Sequence, residues 1–276
     1  MIYSCKRIDE KLGITIFLDS GILGQGIFAN IEKIVSESEL DIMLIFYCEE
    51  PLIGVKYGLK VSEIIQILKS VRKAAKNNVF CDIYSDLSFN KSKIKILNGM
   101  MPKRGSSFSW SITPVYSKGV DTNSFFENIQ ILSDLNILGE ISCVVSQDNF
   151  DEDMAIFEKI KNSYPEVFPN PKHGEEDWFF EKFGEKPFYK THTIHFENSS
   201  DTVNIQKIKS SYSFKGFICN KKNHITIKLS GPTYYCLTDL FEGLPGSSIY
   251  GDIPEICCSC EREKCLHEDN VSVYRI

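Results

Sequence analysis

The chain has 276 residues, 42% hydrophobic and 25% charged, the composition of a globular protein with room for one large domain and a small one, and not of a disordered chain. No run approaches the ~20 consecutive apolar residues of a membrane span. A net charge of −6 argues against a nucleic-acid partner, because phosphate binding needs a basic face.

In chain order, short apolar runs alternate with amphipathic stretches. ITIFL at 14–18 precedes a helical IFANIEKIVSES, and IMLIFY at 42–47 precedes LKVSEIIQILKSVRKAAKNN. In that second helix the apolar residues at 61, 64, 65, 68 and 71 share one face. VFCDIY at 79–84 with a weaker helix at 91–98 makes a third unit, and FSWSIT at 108–113 with TNSFFENIQILSDLN at 122–136 a fourth. ISCVVS at 141–146 leads into DEDMAIFEKIKNSY, where Asp148 or Asp151 suits the helix N-cap. THTIHF at 191–196 with a short helical SDTVNIQKIKS is read as the sixth unit. Strands alternating with helices call for a parallel sheet, and six such units predict an α/β fold, a partial (β/α)6 barrel.

Between the fifth and sixth units lies PEVFPNPKHGEEDWFFEKFGEKPFYK, too long for a turn and read as an insertion. Trp178, Phe179, Phe180 and Phe183 either pack against the barrel or line a groove, and packing is the simpler reading. His173, His192 and His195 have no cysteine near them in sequence and read as structural. Cys5, Cys48, Cys81 and Cys143 are dispersed over separate elements and read as ordinary buried cysteines. The basic clusters Lys221–Lys222 and Lys91 to Lys95 read as solvated surface.

Six of the ten cysteines crowd the last quarter. Cys219 is followed by eleven residues, Gly231, four more and Cys236; then come Cys257, Cys258, Cys260, Cys265 and His267. Thiols so spaced can converge on a soft metal or an iron-sulfur cluster, with a Cys-x-x-Cys turn delivering two of them. Gly231 permits a tight turn between two strands. Two other readings stay open on spacing alone. One is a zinc site using Cys257, Cys260, Cys265 and His267. The other is a disulfide framework, opposed by the lack of a secretory signal and by intervening residues typical of the cytoplasm, where the chain is expected to reside.

IMLIFYCEEPLI at 42–53 resembles the second strand of radical S-adenosylmethionine (radical SAM) enzymes, which ends in Gly-Gly-Glu-Pro. VFCDIYSDLSFN, SFSWSITP and ISCVVSQDNFDE resemble the strands that follow in that family, so the likeness spans roughly residues 10 to 211. Cys219-x11-Gly231-x4-Cys236 with Cys257-x2-Cys260 is similar to the start of a SPASM or shorter twitch extension, which carries auxiliary 4Fe-4S clusters. The resemblance implies a barrel at 1–211 and a Cys-rich metal-binding domain at 212–276. It further implies one 4Fe-4S cluster on Cys219, Cys236, Cys257, Cys260 and Cys265, with zinc as the alternative.

One departure is decisive. The family's Cys-x3-Cys-x2-Cys loop should follow the first strand, and that place holds Asp19-Ser-Gly-Ile-Leu-Gly-Gln-Gly26 with no cysteine. The Gly-Gly pair is replaced by Cys48-Glu49, whose side chains fill space that close backbone approach needs. The resemblance thus implies a degenerate, non-catalytic member without S-adenosylmethionine. Its expected partners are a precursor peptide or an active radical SAM enzyme, in the maturation of a ribosomally made peptide.

A second possibility is an enzyme using Asp19, Glu49, Glu50, Asp86, Asp148 and Glu197 at the barrel mouth, with a divalent metal. Gly24-Gln-Gly26-Ile-Phe-Ala29 also partly matches a dinucleotide fingerprint, but Asp19 to Leu23 separate it from the strand end.

Overall fold

The computed structural model describes residues 3–5, 11–19, 25–50, 55–56, 58–89, 91–165, 167–172, 175–183 and 224–229. It also describes short strands at 191–196, 199–204, 217–219, 233–234, 258–259 and 273–275. The chain enters through β1 (Tyr3–Cys5) and β2 (Lys11–Phe17), then α1 (Gln25–Glu37), β3 (Asp41–Tyr47), a ribbon of β4 (Glu49–Glu50) and β5 (Val55–Lys56), and α2 (Val61–Ala74). There follow β6 (Val79–Ser85), α3 (Lys91–Met100), β7 (Phe108–Tyr116), α4 (Thr122–Asp134), β8 (Ile141–Val145), α5 (Phe150–Ser163), β9 (Val167–Pro171) and α6 (Glu176–Phe183). The remaining strands are β10 (Thr191–Phe196), β11 (Ser199–Asn204), β12 (Phe217–Cys219), β13 (His224–Lys228), β14 (Thr233–Tyr234), β15 (Cys258–Ser259) and β16 (Val273–Arg275).

The main sheet has the order β14-β13-β2-β3-β6-β7-β8-β9, and all its pairs are parallel except β13 with β14. Helices follow β2, β3, β6, β7, β8 and β9, as a parallel sheet requires of its crossovers. The strands read as β-branched and aromatic runs because one phase packs under the helices while the other lines the barrel's inner face. In β3 and β6 the first phase (Ile42, Leu44, Phe46; Val79, Cys81, Ile83) is buried in one cluster with Ile64, Leu68 and Val71 of α2 and Ile94 and Leu97 of α3. Each such side chain contributes about 1.5–3 kcal/mol by leaving water.

Five of the six expected units stand where the sequence places them. The sixth does not. THTIHF is β10 and pairs antiparallel with β11, with a register from Thr191↔Asn204 to Phe196↔Ser199, so the first part of the expected helix is a strand and the rest lies outside the described residues. The two belong to a second, antiparallel sheet of order β11-β10-β1-β16-β12-β15. The sixth barrel strand is β9, inside the presumed insertion. Its two prolines hide it from a strand search, yet proline is tolerated at a sheet edge, and β9 is the last strand of the main sheet.

A seventh parallel strand, β13, comes from the Cys-rich segment and adds beside β2, from His224↔Gly13 to Lys228↔Phe17. It pairs antiparallel with β14, with Ile227 opposite Thr233, while Gly231, expected to turn between two strands, lies outside the described residues.

Trp178, Phe179 and Phe183 of α6 pack, while the side chain of Phe180 lies outside the described residues. Phe179 is buried, and Trp178 and Phe183 both meet Phe150 of α5, at ring-centroid distances of 5.7 and 5.9 Å. At the start of α5 the N-cap is Asn149, not Asp148 or Asp151. Asp148 instead faces Lys172 at 3.9 Å, and the buried Asp153 reaches back to accept from Ser146 N (2.9 Å) and Oγ (2.8 Å).

Candidate functional site

Register stacks the inward-facing residues in layers. Thr226, Thr15, Ile45, Asp82 and Ser111 form one layer across β13, β2, β3, β6 and β7; Lys228, Phe17, Tyr47, Tyr84 and Thr113 form the next towards the strands' C-terminal ends. In this second layer the rings of Phe17, Tyr47 and Tyr84 stack side by side, with centroids 5.2 and 4.9 Å apart. The β7 and β8 side of the same surface carries hydroxyls, and Asn170 of β9 donates to Ser142 Oγ at 2.7 Å. The inner face is therefore aromatic on one side and hydroxylic on the other.

Asp82 sits at the boundary. Its carboxylate accepts from Thr113 Oγ1 at 2.8 and 3.0 Å, from Ser111 Oγ at 3.1 Å and from the Ile83 amide at 3.0 Å. Gly139 leaves the room the Thr113 hydroxyl needs, since an added Cβ there would lie 2.7 Å from it. Burial raises the Asp82 carboxyl above its ordinary value, and the acidic Glu140 adds to this, while Thr113, Ser111 and Ile83 pull the other way as donors. The sequence carried a signal for this residue, an acid in the inward phase of an otherwise apolar parallel strand, where a charge needs a reason.

A raised carboxyl means that the folded protein holds this proton more tightly than the unfolded chain does. Stability is therefore expected to fall as pH rises from about 3.9 through the folded-state value, and the loss stays in place above it. Asp82→Asn is expected to remove that slope, so that wild type and variant converge in acid. Urea unfolding across pH 3.5 to 7 checks this, and a slope unchanged in the variant would assign the pH dependence to other groups.

Among the described residues the mouth carboxylates do not assemble. Asp19 and Asp86 are buried while Asp148 is exposed beside Lys172, and among the described residues no three His, Cys, Asp or Glu side chains could hold a metal ion. The side chains of Glu49, Glu50 and Glu197 lie outside the described residues. Asp86 instead shapes the turn after β6, accepting from Ser88 N at 2.9 Å. Leu87 there takes φ 57°, sparsely populated for a bulky residue, supported by Ser85 Oγ (3.1 Å to Leu87 N) and by Asn128 Nδ2 (2.9 Å to Leu87 O). A recess of about 550 Å3 lies between this turn and the start of α4.

Cys48, Cys81 and Cys143 are buried, as expected of structural thiols. Burial pushes Cys81 well up, with Asp82 adding to it, and pushes Cys143 up to about 12, helped by Asp153. Neither is a thiolate at neutral pH, which makes both poor nucleophiles and poor ligands.

Of the expected cluster ligands, Cys219 ends β12, directly opposite Cys258 of β15. Cys236, Cys257, Cys260 and Cys265 lie outside the described residues. The donor set of the tail, with its six thiols, fits a soft metal. The segment after β2 does not fit a cluster that would hold S-adenosylmethionine, because residues 19–26 offer no thiol. After β3, where close backbone approach would need glycine, the chain has a buried Cys48 and enters the β4–β5 ribbon, Glu49 opposite Lys56.

No protein-family profile and no curated protein sequence matches the chain. Among solved structures, the radical SAM enzyme anSMEcpe with bound AdoMet is similar, with a TM-score of 0.54 at 12% identity over 89% of this chain and 79% of that one. Looser likenesses join it to Streptococcus suis SuiB bound to S-adenosylmethionine (TM-score 0.41, 11% identity, 88% of this chain and 62% of that one). BtrN in complex with AdoMet and 2-DOIA is looser again (0.37, 7%, 88% and 79%). The first likeness fixes the fold, a partial barrel of the radical SAM type.

Proposed function

We propose that this chain is a non-catalytic radical SAM-like protein that takes part in ribosomal peptide maturation. In this reading it binds a precursor peptide or an active radical SAM enzyme, and a SPASM-like tail from about residue 212 holds one auxiliary-type 4Fe-4S cluster. The observation that carries the reading is the thiol-free segment between β2 and α1 in a fold otherwise of the radical SAM type. The argument rests on absent ligands and not on weak ones: without three thiolates there, no iron is held with an open position for S-adenosylmethionine.

Two features support a binding role. Among the described residues β11 is paired on one side only, by β10, which leaves a six-residue strand edge in the antiparallel sheet. Such an edge takes up an extended peptide by adding a strand, with main-chain hydrogen bonds supplying affinity. The inner face of the barrel offers a concave surface lined by both aromatic and hydroxyl groups.

Metal analysis after anaerobic reconstitution tests the reading. About four irons and four sulfides per chain are expected, with a broad absorption near 400 nm. Cys219→Ser or Cys236→Ser is expected to lower both counts sharply. One tightly held zinc, no capacity for iron and sulfide, and indifference to both substitutions would transfer the tail to the zinc alternative, whose ligands all lie between Cys257 and His267.

A further inference from the structure

A partly buried carboxylate usually has a cation beside it. Among the described residues Asp82 has none: its donors are two hydroxyls and one amide, and the charged group acting on it is the acidic Glu140. Its position is built, since the missing Cβ of Gly139 leaves room for the Thr113 hydroxyl that donates to it, and Tyr84 stands two residues further along the same strand, on the same inward face. An inward-facing carboxylate ringed by neutral donors, beside stacked rings on the same surface, is complementary to a guest that brings a positive charge and hydrogen-bond donors.

We propose that the inner face of the barrel is a subsite for a primary ammonium or guanidinium group, seated on Asp82 between Ser111, Thr113 and the edge of the Tyr47–Tyr84 stack. The guest is a lysine or arginine side chain or the amino terminus of the bound peptide, so the inference rests on the peptide-binding reading for its biological ligand. The chemistry selects the guest. An alkylammonium supplies up to three donors and the missing positive charge, and its methylene stem lies against the aromatic side. An acidic or neutral group would leave the carboxylate uncompensated.

The experiment uses n-butylammonium as probe and n-butanol as its neutral control, titrated into the full-length protein and followed by NMR of the Asp82 carboxyl carbon and the Tyr47 and Tyr84 rings. Saturable binding of n-butylammonium is expected, with the Asp82 titration moved to lower pH and shifts at both tyrosines. Asp82→Asn should weaken that binding at least about tenfold, the scale of one charge-assisted hydrogen bond. If Asp82→Asn does not fold, the carboxyl titration in the wild-type protein decides alone. Equal binding of n-butanol, unchanged affinity in Asp82→Asn, or a carboxyl titration indifferent to the probe would overturn the proposal. Binding of the small cation with no binding of lysine-containing peptides would sink the peptide reading while leaving the subsite standing.

Discussion

Replacing both Cys257 and Cys260 by serine is expected to abolish iron binding and to open the tail to protease while the barrel stays folded. Residues 215–276 are rich in polar, Gly and Pro positions, and a segment of about 60 residues buries too little apolar surface to be stable without a staple. Thiolate ligation is such a staple, because a site absent from the unfolded chain turns metal-binding energy into folding energy, on the order of 10 kcal/mol for structural metal sites. The fold adds a refinement. β13 lies in the barrel sheet with Ile225 and Ile227 buried, so it depends on β2 and not on the metal. Cleavage is therefore expected on either side of β13, near 205–216 and beyond 235, and not within it. Limited proteolysis with mass analysis reads this directly. A tail as resistant in the double variant as in the wild type would show that the metal is dispensable to it.

The second large effect lies in the core. Phe46 is fully buried in β3 on the face packed under the helices, and Phe46→Ala is expected to cost about 3–5 kcal/mol by lost transfer energy and the cavity left behind. That is a large share of the roughly 5–15 kcal/mol that holds a typical domain together. Its neighbour Tyr47 points to the inner face and is half-buried, so Tyr47→Ala loses chiefly its two ring contacts, each of about 0.5–1.5 kcal/mol. Urea unfolding should order the two variants in this way. If Tyr47→Ala proved the more damaging, the assignment of faces in β3 would be inverted.

The alternation of apolar runs with amphipathic stretches made the first five strand-helix units legible, because a parallel sheet under helices imposes that pattern on local sequence. The sixth and seventh strands escaped for different reasons. β9 carries Pro169 and Pro171, which suppress any local strand signal and are tolerated only because the strand closes one edge of the sheet. β13 reads as an ordinary hairpin strand, and its parallel partner β2 lies some 200 residues away in sequence, a pairing that no local pattern encodes. β10 was misplaced because period-2 alternation identifies a strand but not its sheet.

The site followed the same division. Burial of Cys48, Cys81 and Cys143 was predictable from their apolar surroundings, and so was the packing role of Trp178, Phe179 and Phe183. Asp82 stood in plain view within VFCDIY, but its importance depends on Ser111 and Thr113 from the next strand and on the stacked rings above it, which only register brings together. The mouth carboxylates illustrate the converse. Asp19, Asp86 and Asp148 all follow strand ends, yet two are buried and one is paired with Lys172 at the surface.

The central claim, a radical SAM fold relieved of radical SAM chemistry, is tested most directly by one measurement. Anaerobically reconstituted protein carrying its cluster is incubated with S-adenosylmethionine and a strong reductant, and 5′-deoxyadenosine is quantified against cluster-free protein. The account predicts no 5′-deoxyadenosine above that control, because residues 19–26 supply no thiolate to hold an iron with an open position. Formation of 5′-deoxyadenosine that depends on the cluster would contradict it.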